Sequence, residues 1–318
     1  MADININNRK KILKNITENV PNNQSQQSQV NSFGALPTFP NQRFWTRSVL
    51  VICTFTVVYF SILKKKEVVF AFQKDLLEKR EINIPCSDSY ITELSKFKDC
   101  APQFCGRLVS DTIISSSEVK TLLKFAENGI ALGGSDGGAS ILDVHSGALS
   151  HGQSFVNFYK LPDIANVIKK EDFLTYTMVK NKIQKAIAQH FQINFENLYL
   201  TYPTFFSRLT NAQPKTLHDE YWHKHIDKET YESFHYTSLL YLNDFKKDFS
   251  GGRFMFINSD NSTSVVEPKK GRVSIFTSGA ENPHYVEKVL SGVRYAITVS
   301  FTCDPSKAIP DLQMNHPN

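Results

Sequence analysis

Three things are scarce in this sequence: charge of one sign, cysteine, and long apolar runs. Lys+Arg number 36 against 31 Asp+Glu, a formal net charge of +5 over 318 residues. The lysines are scattered rather than gathered on aromatic-rich strands, so nothing prompts nucleic-acid binding and none is expected. Of the five cysteines, Cys53 lies in an apolar run. The even four that remain, Cys86, Cys100, Cys105 and Cys303, fit two disulfides in an oxidising lumen, with four unpaired buried thiols as the alternative. The apolar run from Ser48 to Leu63 is sixteen residues. As a helix it spans roughly 24 Å, short of a hydrocarbon core of about 30 Å. More than forty residues precede it, which argues against a cleaved signal peptide. Gly133 to Gly138 lacks the Gly-Lys-Ser/Thr ending of a phosphate loop.

What is there is ordinary for a globular protein: 41% hydrophobic and 21% charged, in a length that suits one sizeable domain plus accessories, or two small ones. Residues 1–44 are rich in Asn, Gln and Ser, with a basic patch at Arg9, Lys10, Lys11 and Lys14. Such a segment buries too little apolar surface to offset its ordering entropy and is expected to be a disordered tail. Residues 45–63 read as a membrane anchor. Trp45 and Tyr59 suit interfaces, and Arg47 and Lys64 can snorkel to extend the short run. A buried core helix is the alternative, and the polar tail and Lys64-Lys65-Lys66 on its flanks speak against it. Orientation is contested. Lysines at 64, 65, 66, 74 and 79 lean toward a cytoplasmic C-terminal part, while the four cysteines and the sequon Asn261-Ser262-Thr263 lean toward a lumenal one.

Residues 64–106 read as a stem and Cys-containing linker. Val69, Phe72 and Leu76 recur at helical spacing, which suggests a helical stem and a route to self-association. In residues 107–193, a helical support region, the capping box Ser115-x-x-Glu118 opens a helix that stops near Asn128-Gly129. Gly133 to Gly138 is expected to be a flexible surface loop, or a lid if it lies near a site. A second helix, from Glu171 to Phe191, carries Phe173, Tyr176, Ile183 and Ile187 on one stripe. Residues 194–308 change to strand periodicity, with strands expected at 196–201, 204–209, 234–242, 253–257, 272–276, 284–289 and 294–302. Short antiparallel strands at this spacing suggest a double-sheet jelly roll, with residues 309–318 as a tail. The fold expected is mostly β: a double-stranded β-helix with flanking α-helices, preceded by one transmembrane helix.

The chemistry gathers between Trp222 and Thr302. His225 and Asp227, two apart, share one face of an extended strand. His284 from a distant strand completes two histidines and one carboxylate, a facial ligand set that suits non-haem Fe(II) and leaves positions open. Arg294, ten residues on, is placed to pair with a carboxylate through its planar fork of donors. Thr298 shares the Arg294 strand face and is placed to line the same pocket. His223 projects to the His225 face, so His223-x-His225 is a competing ligand pair, and a zinc site of His223, His225 and His284 is conceivable. A zinc hydrolase ranks last, because no helical His-Glu-x-x-His frame is present. His218 and His235 read as surface or packing residues.

Five pieces in order carry a resemblance: His225-Ile226-Asp227, Leu240-Tyr241-Leu242-Asn243, Gly251-Gly252-x-Phe254, His284-x-Val286 and Gly292-x-Arg294-Tyr295-Ala296-Ile297-Thr298. With them the chain resembles the prolyl 4-hydroxylase type of Fe(II)- and 2-oxoglutarate-dependent dioxygenase, firmly over the last hundred or so residues and loosely from about residue 105. The resemblance selects His225, Asp227 and His284 as Fe(2+) ligands. It implies Arg294, with Tyr241, on the far carboxylate of the co-substrate 2-oxoglutarate, and ascorbate as reductant. It further implies O2 and a peptide or protein substrate, with proline first and lysine behind it, and a domain in the ER or secretory lumen on a single type II span. Two departures stand out. Gln213-Pro214-Lys215-Thr216 lies where many relatives carry a tyrosine, and Ser300 lies where they often carry tryptophan. The competing reading is a membrane-anchored jelly-roll scaffold that has lost turnover, although all four key positions are intact.

Overall fold

In the computed structural model, residues 40–63, 66–162 and 164–312 are described. The chain divides into two units, residues 1–63 and 64–318. Within the first, the helix Gln42–Leu63 begins six residues before the expected apolar run. Its 22 residues span about 33 Å, long and apolar enough to cross a membrane by length and composition. The hydroxyls of Thr54 and Thr56 donate to the carbonyls of Leu50 and Ile52, each at 2.8 Å, so neither leaves a donor without a partner in an apolar setting. Most of the expected tail, residues 1–39, lies outside the described residues; residues 40 and 41 lead into this helix, which takes in 42–44.

The second unit is built on two main sheets, with a separate two-stranded pair of Phe249–Gly251 and Val289–Gly292. The larger runs in the order Arg80–Ile84, Cys105–Ser110, Val273–Thr277, Tyr236–Tyr241, Arg294–Thr302, Phe205–Leu209, Ala139–Leu142, Ala148–Gly152 and Gly134–Ser135. The smaller runs Glu67–Ala71, Thr263–Val266, Phe254–Ile257 and His284–Val286. Leu239, Tyr241, Phe276 and Ala296 of the large sheet pack with Phe70, Phe254, Phe256 and Val266 of the small one in one apolar cluster, so the sheets lie face to face. The intervening residues Leu240, Ile275 and Ile297 point the other way, into a cluster with Leu122, Phe125 and Ile183. Those three belong to the flanking helices Ser116–Ala131 and Lys170–Phe191. A strand covered on both faces is buried along its whole length rather than on alternate residues, as Tyr236–Tyr241 is. The double-sheet fold with flanking helices is therefore the observed one.

The first support helix is capped as its sequence demands: Ser115 accepts from the Glu118 amide, and the Glu118 carboxylate accepts from the Ser115 amide at 2.9 Å. The stripe Phe173, Tyr176, Ile183 and Ile187 is buried.

Several expectations change. The stem is not helical: Glu67–Ala71 pairs in parallel with Thr263–Val266, and Arg80–Ile84 pairs with Cys105–Ser110. Leu76 is exposed on the connection between them, so the helical stripe, and with it the ground for self-association through a stem, disappears. The Gly133–138 stretch is not a free loop. Gly134–Ser135 forms a short parallel pairing, and Gly137 and Gly138 are buried. Asp219 accepts from Ser135 Oγ and the Ala139 amide at 3.0 and 3.1 Å, and a Cβ on Gly137 would fall 2.2 Å from that carboxylate. The expected tail is held as far as 312, because the Ile309 amide donates to Leu200 and Lys180 pairs with Asp311 at 2.6 Å. The strand expected at 196–201 shortens to Tyr199–Leu200 after a tight turn at Phe195–Asn197, and that at 284–289 splits in two. Two disulfides form, Cys86–Cys105 and Cys100–Cys303, and Cys53 is free.

Candidate metal centre

His225 and His284 are brought together by the backbone. The His225 amide donates to the His284 carbonyl at 3.0 Å, and the His284 amide returns the bond at 2.9 Å. His284 opens the strand His284–Val286 of the small sheet. Asp227 is not on a strand as expected. Ile226 is extended, but Asp227 is the first residue of a one-turn helix, Asp227–Thr230. That turn swings the carboxylate beneath the two imidazoles.

The ligand atoms of His225, Asp227 and His284 lie within 4.8 Å of one another. Asp227 Oδ1 is 3.5 Å from His225 Nε2 and 3.4 Å from His284 Nε2. Each imidazole places its Nδ1 against a backbone carbonyl, His225 on His223 at 3.0 Å and His284 on Asn282 at 2.9 Å. An Nδ1–H donating to carbonyl leaves each Nε2 lone pair free toward the shared centre, the tautomer a metal needs. Phe254, Phe256 and Phe276 pack around the buried His284 ring, while His225 is half-exposed.

Electrostatics follow from this packing. Burial opposes charge on Asp227, but His284, His225 and the Thr237 hydroxyl outweigh it and hold the carboxyl below its ordinary value. Burial pushes His284 down despite Asp227. For His225, burial is outweighed by Asp227 and the His223 carbonyl, and the pKa rises. An ionised carboxylate beside imidazoles with free Nε2 atoms is a donor set that fits a divalent metal.

Arg294 sits on the inner face of the large sheet, 1% exposed. Its Nε donates to the Gly252 carbonyl at 2.9 Å, while Nη2 is buried and has no hydrogen-bond partner among the described residues. Gly252 has φ +63, and a Cβ there would approach Arg294 Cδ to 3.0 Å, which accounts for glycine at this position. Burial lowers the Arg294 pKa, opposed by the nearby Tyr241 and Tyr221 phenols. The Tyr241 ring faces the guanidinium at 5.4 Å, and its hydroxyl is 3.3 Å from Ser274 Oγ. Thr298 is half-buried on the same inner face, opposite Leu239 and Phe205.

Other expectations are redistributed. His223 is exposed and pairs with Glu220 at 2.7 Å, outside the cluster, so neither the His223-x-His225 pair nor the zinc trio assembles. His218 is an exposed residue whose ring meets Phe155. His235 is buried, the packing alternative of its sequence reading. Its Nδ1 accepts from the Cys303 amide at 2.8 Å, and its Nε2 lies 3.0 Å from the Glu93 carboxylate. Lys215 and Thr216, in the loop that replaces the expected tyrosine, donate their amides to Asp219. Ser300 is fully buried, its hydroxyl without a partner among the described residues. Thr237, which touches Asp227, Ser278, which touches Thr237, and Asn282, whose carbonyl meets His284, belong to no sequence motif. The only signal for Thr237 is strand periodicity, which sets it on the Leu239 and Tyr241 face.

Comparison with known proteins agrees with this geometry. A profile of the 2OG-Fe(II) oxygenase superfamily matches residues 212–302. A Xenopus tropicalis protein named 2-oxoglutarate and iron-dependent oxygenase domain-containing protein 3 is 54% identical over 245 residues, 76% of this chain and 77% of that one. The Homo sapiens protein of the same name is 51% identical over 245 residues, 76% of each. Mus musculus prolyl 3-hydroxylase 2 is 31% identical over 217 residues, 63% of this chain and 30% of that protein.

Proposed function

We infer the function from one premise: this chain belongs to the 2OG-Fe(II) oxygenase superfamily and is a 2-oxoglutarate-dependent dioxygenase. Fe(II) and 2-oxoglutarate are the cofactor and co-substrate that membership implies. We propose that His225, Asp227 and His284 hold the Fe(II), and that Arg294, with Tyr241 beside it and Thr298 on the same wall, receives the far carboxylate of 2-oxoglutarate. The observation that carries this is the orphaned Nη2 of Arg294. A buried charged donor without a partner is strongly unfavourable unless a ligand supplies one, and a carboxylate matches the guanidinium fork.

When bound, Fe(II) and 2-oxoglutarate supply the oxidation itself, in which O2 and the co-substrate yield succinate, CO2 and a hydroxylated carbon. The chain's own groups orient and shield. The carbonyls of His223 and Asn282 fix the two imidazole tautomers. Burial holds the Tyr241 phenol protonated, able to donate to a carboxylate. Phe254, Phe256 and Phe276 keep water from the inner side of His284.

The substrate is a peptidyl side chain, proline first and lysine behind it, a reading supported by the relative named prolyl 3-hydroxylase 2. Ascorbate serves as reductant. The helix Gln42–Leu63 is a single membrane span, and the enzyme works on the lumenal side of the secretory pathway as a type II protein. Two paired disulfides support that compartment. Asn261, exposed in a turn, is a glycan site there, and glycosidase sensitivity lost in Asn261→Gln tests the orientation. A cytoplasmic domain would carry no glycan.

The deciding experiment measures Fe(II)-dependent succinate formation by the full-length protein, with ascorbate present and absent. His225→Ala is expected to abolish it. Arg294→Gln is expected to raise KM for 2-oxoglutarate by about 30-fold, the equivalent of ~2 kcal/mol for one charged hydrogen bond. An Arg294→Gln enzyme with unchanged KM would remove Arg294 from the co-substrate site.

A further inference from the structure

Asp227 presents its two oxygens unequally. Oδ1 faces both imidazoles, 3.5 Å from one Nε2 and 3.4 Å from the other. Oδ2 is turned away and accepts a hydrogen bond from Thr237 Oγ1 at 2.6 Å. An ionised carboxylate has no proton to give, so Thr237 is the donor. Its oxygen then accepts from the hydroxyl of Ser278, 2.8 Å away. The direction of the whole chain is thereby set: Ser278 to Thr237 to Asp227. All three residues are buried.

The backbone pins both ends. The Lys228 amide donates to the Ser278 carbonyl at 3.0 Å, and the Ser278 amide donates to the His235 carbonyl at 3.0 Å. Thr237 stands opposite Phe276 and Ser300 in the large sheet, on the inner face. It therefore reaches Asp227 from a rigid central strand rather than from a loop.

We propose that Thr237, oriented by Ser278, is a positioning residue that confines Asp227 to ligation through one oxygen. The idea rests on the Fe(II) reading above. An unconstrained carboxylate can grip a metal with both oxygens and fill one position more than a single-oxygen ligand does. A short, charge-assisted bond to Oδ2 opposes that grip. The position kept free is one that 2-oxoglutarate needs. Thr237 thus acts on co-substrate access rather than on metal retention.

The test uses the full-length protein and measures two dissociation constants anaerobically by calorimetry, for Fe(II) alone and for 2-oxoglutarate on the Fe(II)-loaded protein. Thr237→Val removes the hydroxyl and keeps the shape; Thr237→Ser keeps the hydroxyl. In Thr237→Val, Fe(II) affinity is expected to be undiminished while 2-oxoglutarate binds about tenfold more weakly, the equivalent of ~1.4 kcal/mol. Thr237→Ser should restore wild-type binding. Wild-type constants in Thr237→Val would overturn the proposal, and so would weakened Fe(II) binding or a Thr237→Ser protein that fails equally. If Thr237→Val does not fold, Ser278→Ala decides. It leaves Thr237 in place without its orienting donor, and wild-type 2-oxoglutarate affinity there sinks the idea. A wild-type protein that binds neither Fe(II) nor 2-oxoglutarate would instead defeat the dioxygenase site assignment on which the proposal stands.

Discussion

A single buried imidazole illustrates what one residue contributes. His190, near the end of Lys170–Phe191, packs between Phe104 and Phe191, with Glu81 3.3 Å from its Nδ1. Burial first, and then Lys79, lowers its pKa from 6.5 to about 4, with Glu81 opposing. Between those values the unfolded chain binds a proton that the folded chain excludes, so stability must fall as pH is lowered through that window. His235, also lowered to about 4 chiefly by burial, acts in the same direction. Melting temperature followed from pH 6.5 to 4 should therefore decline, and His190→Gln should remove part of the decline. An unchanged slope in that variant would mean that His190 takes up its proton in the folded state. At this scale the sequence was informative where chemistry sits in a local pattern. His225, Asp227, His284 and Arg294 are visible as residue types at set distances along the chain. Thr237 and Asn282 are not, because each acts through a partner fixed only by strand register or by a turn.

Elements show the same division between local and distant causes. The helix Ser116–Ala131 was legible because its cap is four consecutive residues and its apolar stripe repeats with the helical period. Ser115→Ala should lower unfolding free energy by about 1 kcal/mol, the typical worth of an N-cap. Lys182→Ala, which loses only the partly exposed pair with Glu118, should change it by about 0.5 kcal/mol or less. Chemical denaturation of the two variants side by side measures the contrast, and equal losses would assign the stabilisation to the ion pair instead of the cap. By contrast, the stretch holding Glu67–Ala71 was misread as helical from Val69, Phe72 and Leu76, of which only Val69 lies in the strand while the other two are exposed beyond it. What decides is parallel pairing with Thr263–Val266, almost two hundred residues away. The one-turn helix at Asp227 was missed for a related reason. Ile226 is extended as the strand pattern expects, and the break comes only at Asp227.

For the whole molecule, the two disulfides differ chiefly in the length of chain they close, 19 residues for Cys86–Cys105 and 203 for Cys100–Cys303. In the chain-entropy account, the first stabilises by about 3 kcal/mol and the second by about 5 kcal/mol. The pair Cys100→Ser and Cys303→Ser should therefore lower the melting temperature more than the pair Cys86→Ser and Cys105→Ser. The reverse order would show that local geometry rather than loop length governs. The even count of cysteines was readable in the sequence, but which thiol meets which was not. Cys100 and Cys303 approach only because the last strand of the large sheet ends beside the segment that precedes its second strand.

The Cys100–Cys303 bond also turns most of the catalytic unit into a covalent ring. His225, Asp227, His284 and Arg294 all lie on it. A protease that clips the exposed turn at Ser259 or Asp260 severs the peptide between Asp227 and His284 but opens the ring without releasing a fragment. The two halves stay tethered, and His225, Asp227 and His284 remain on one covalent molecule after the cut. A single cut in that turn changes the connectivity of the backbone but not the number of covalent molecules.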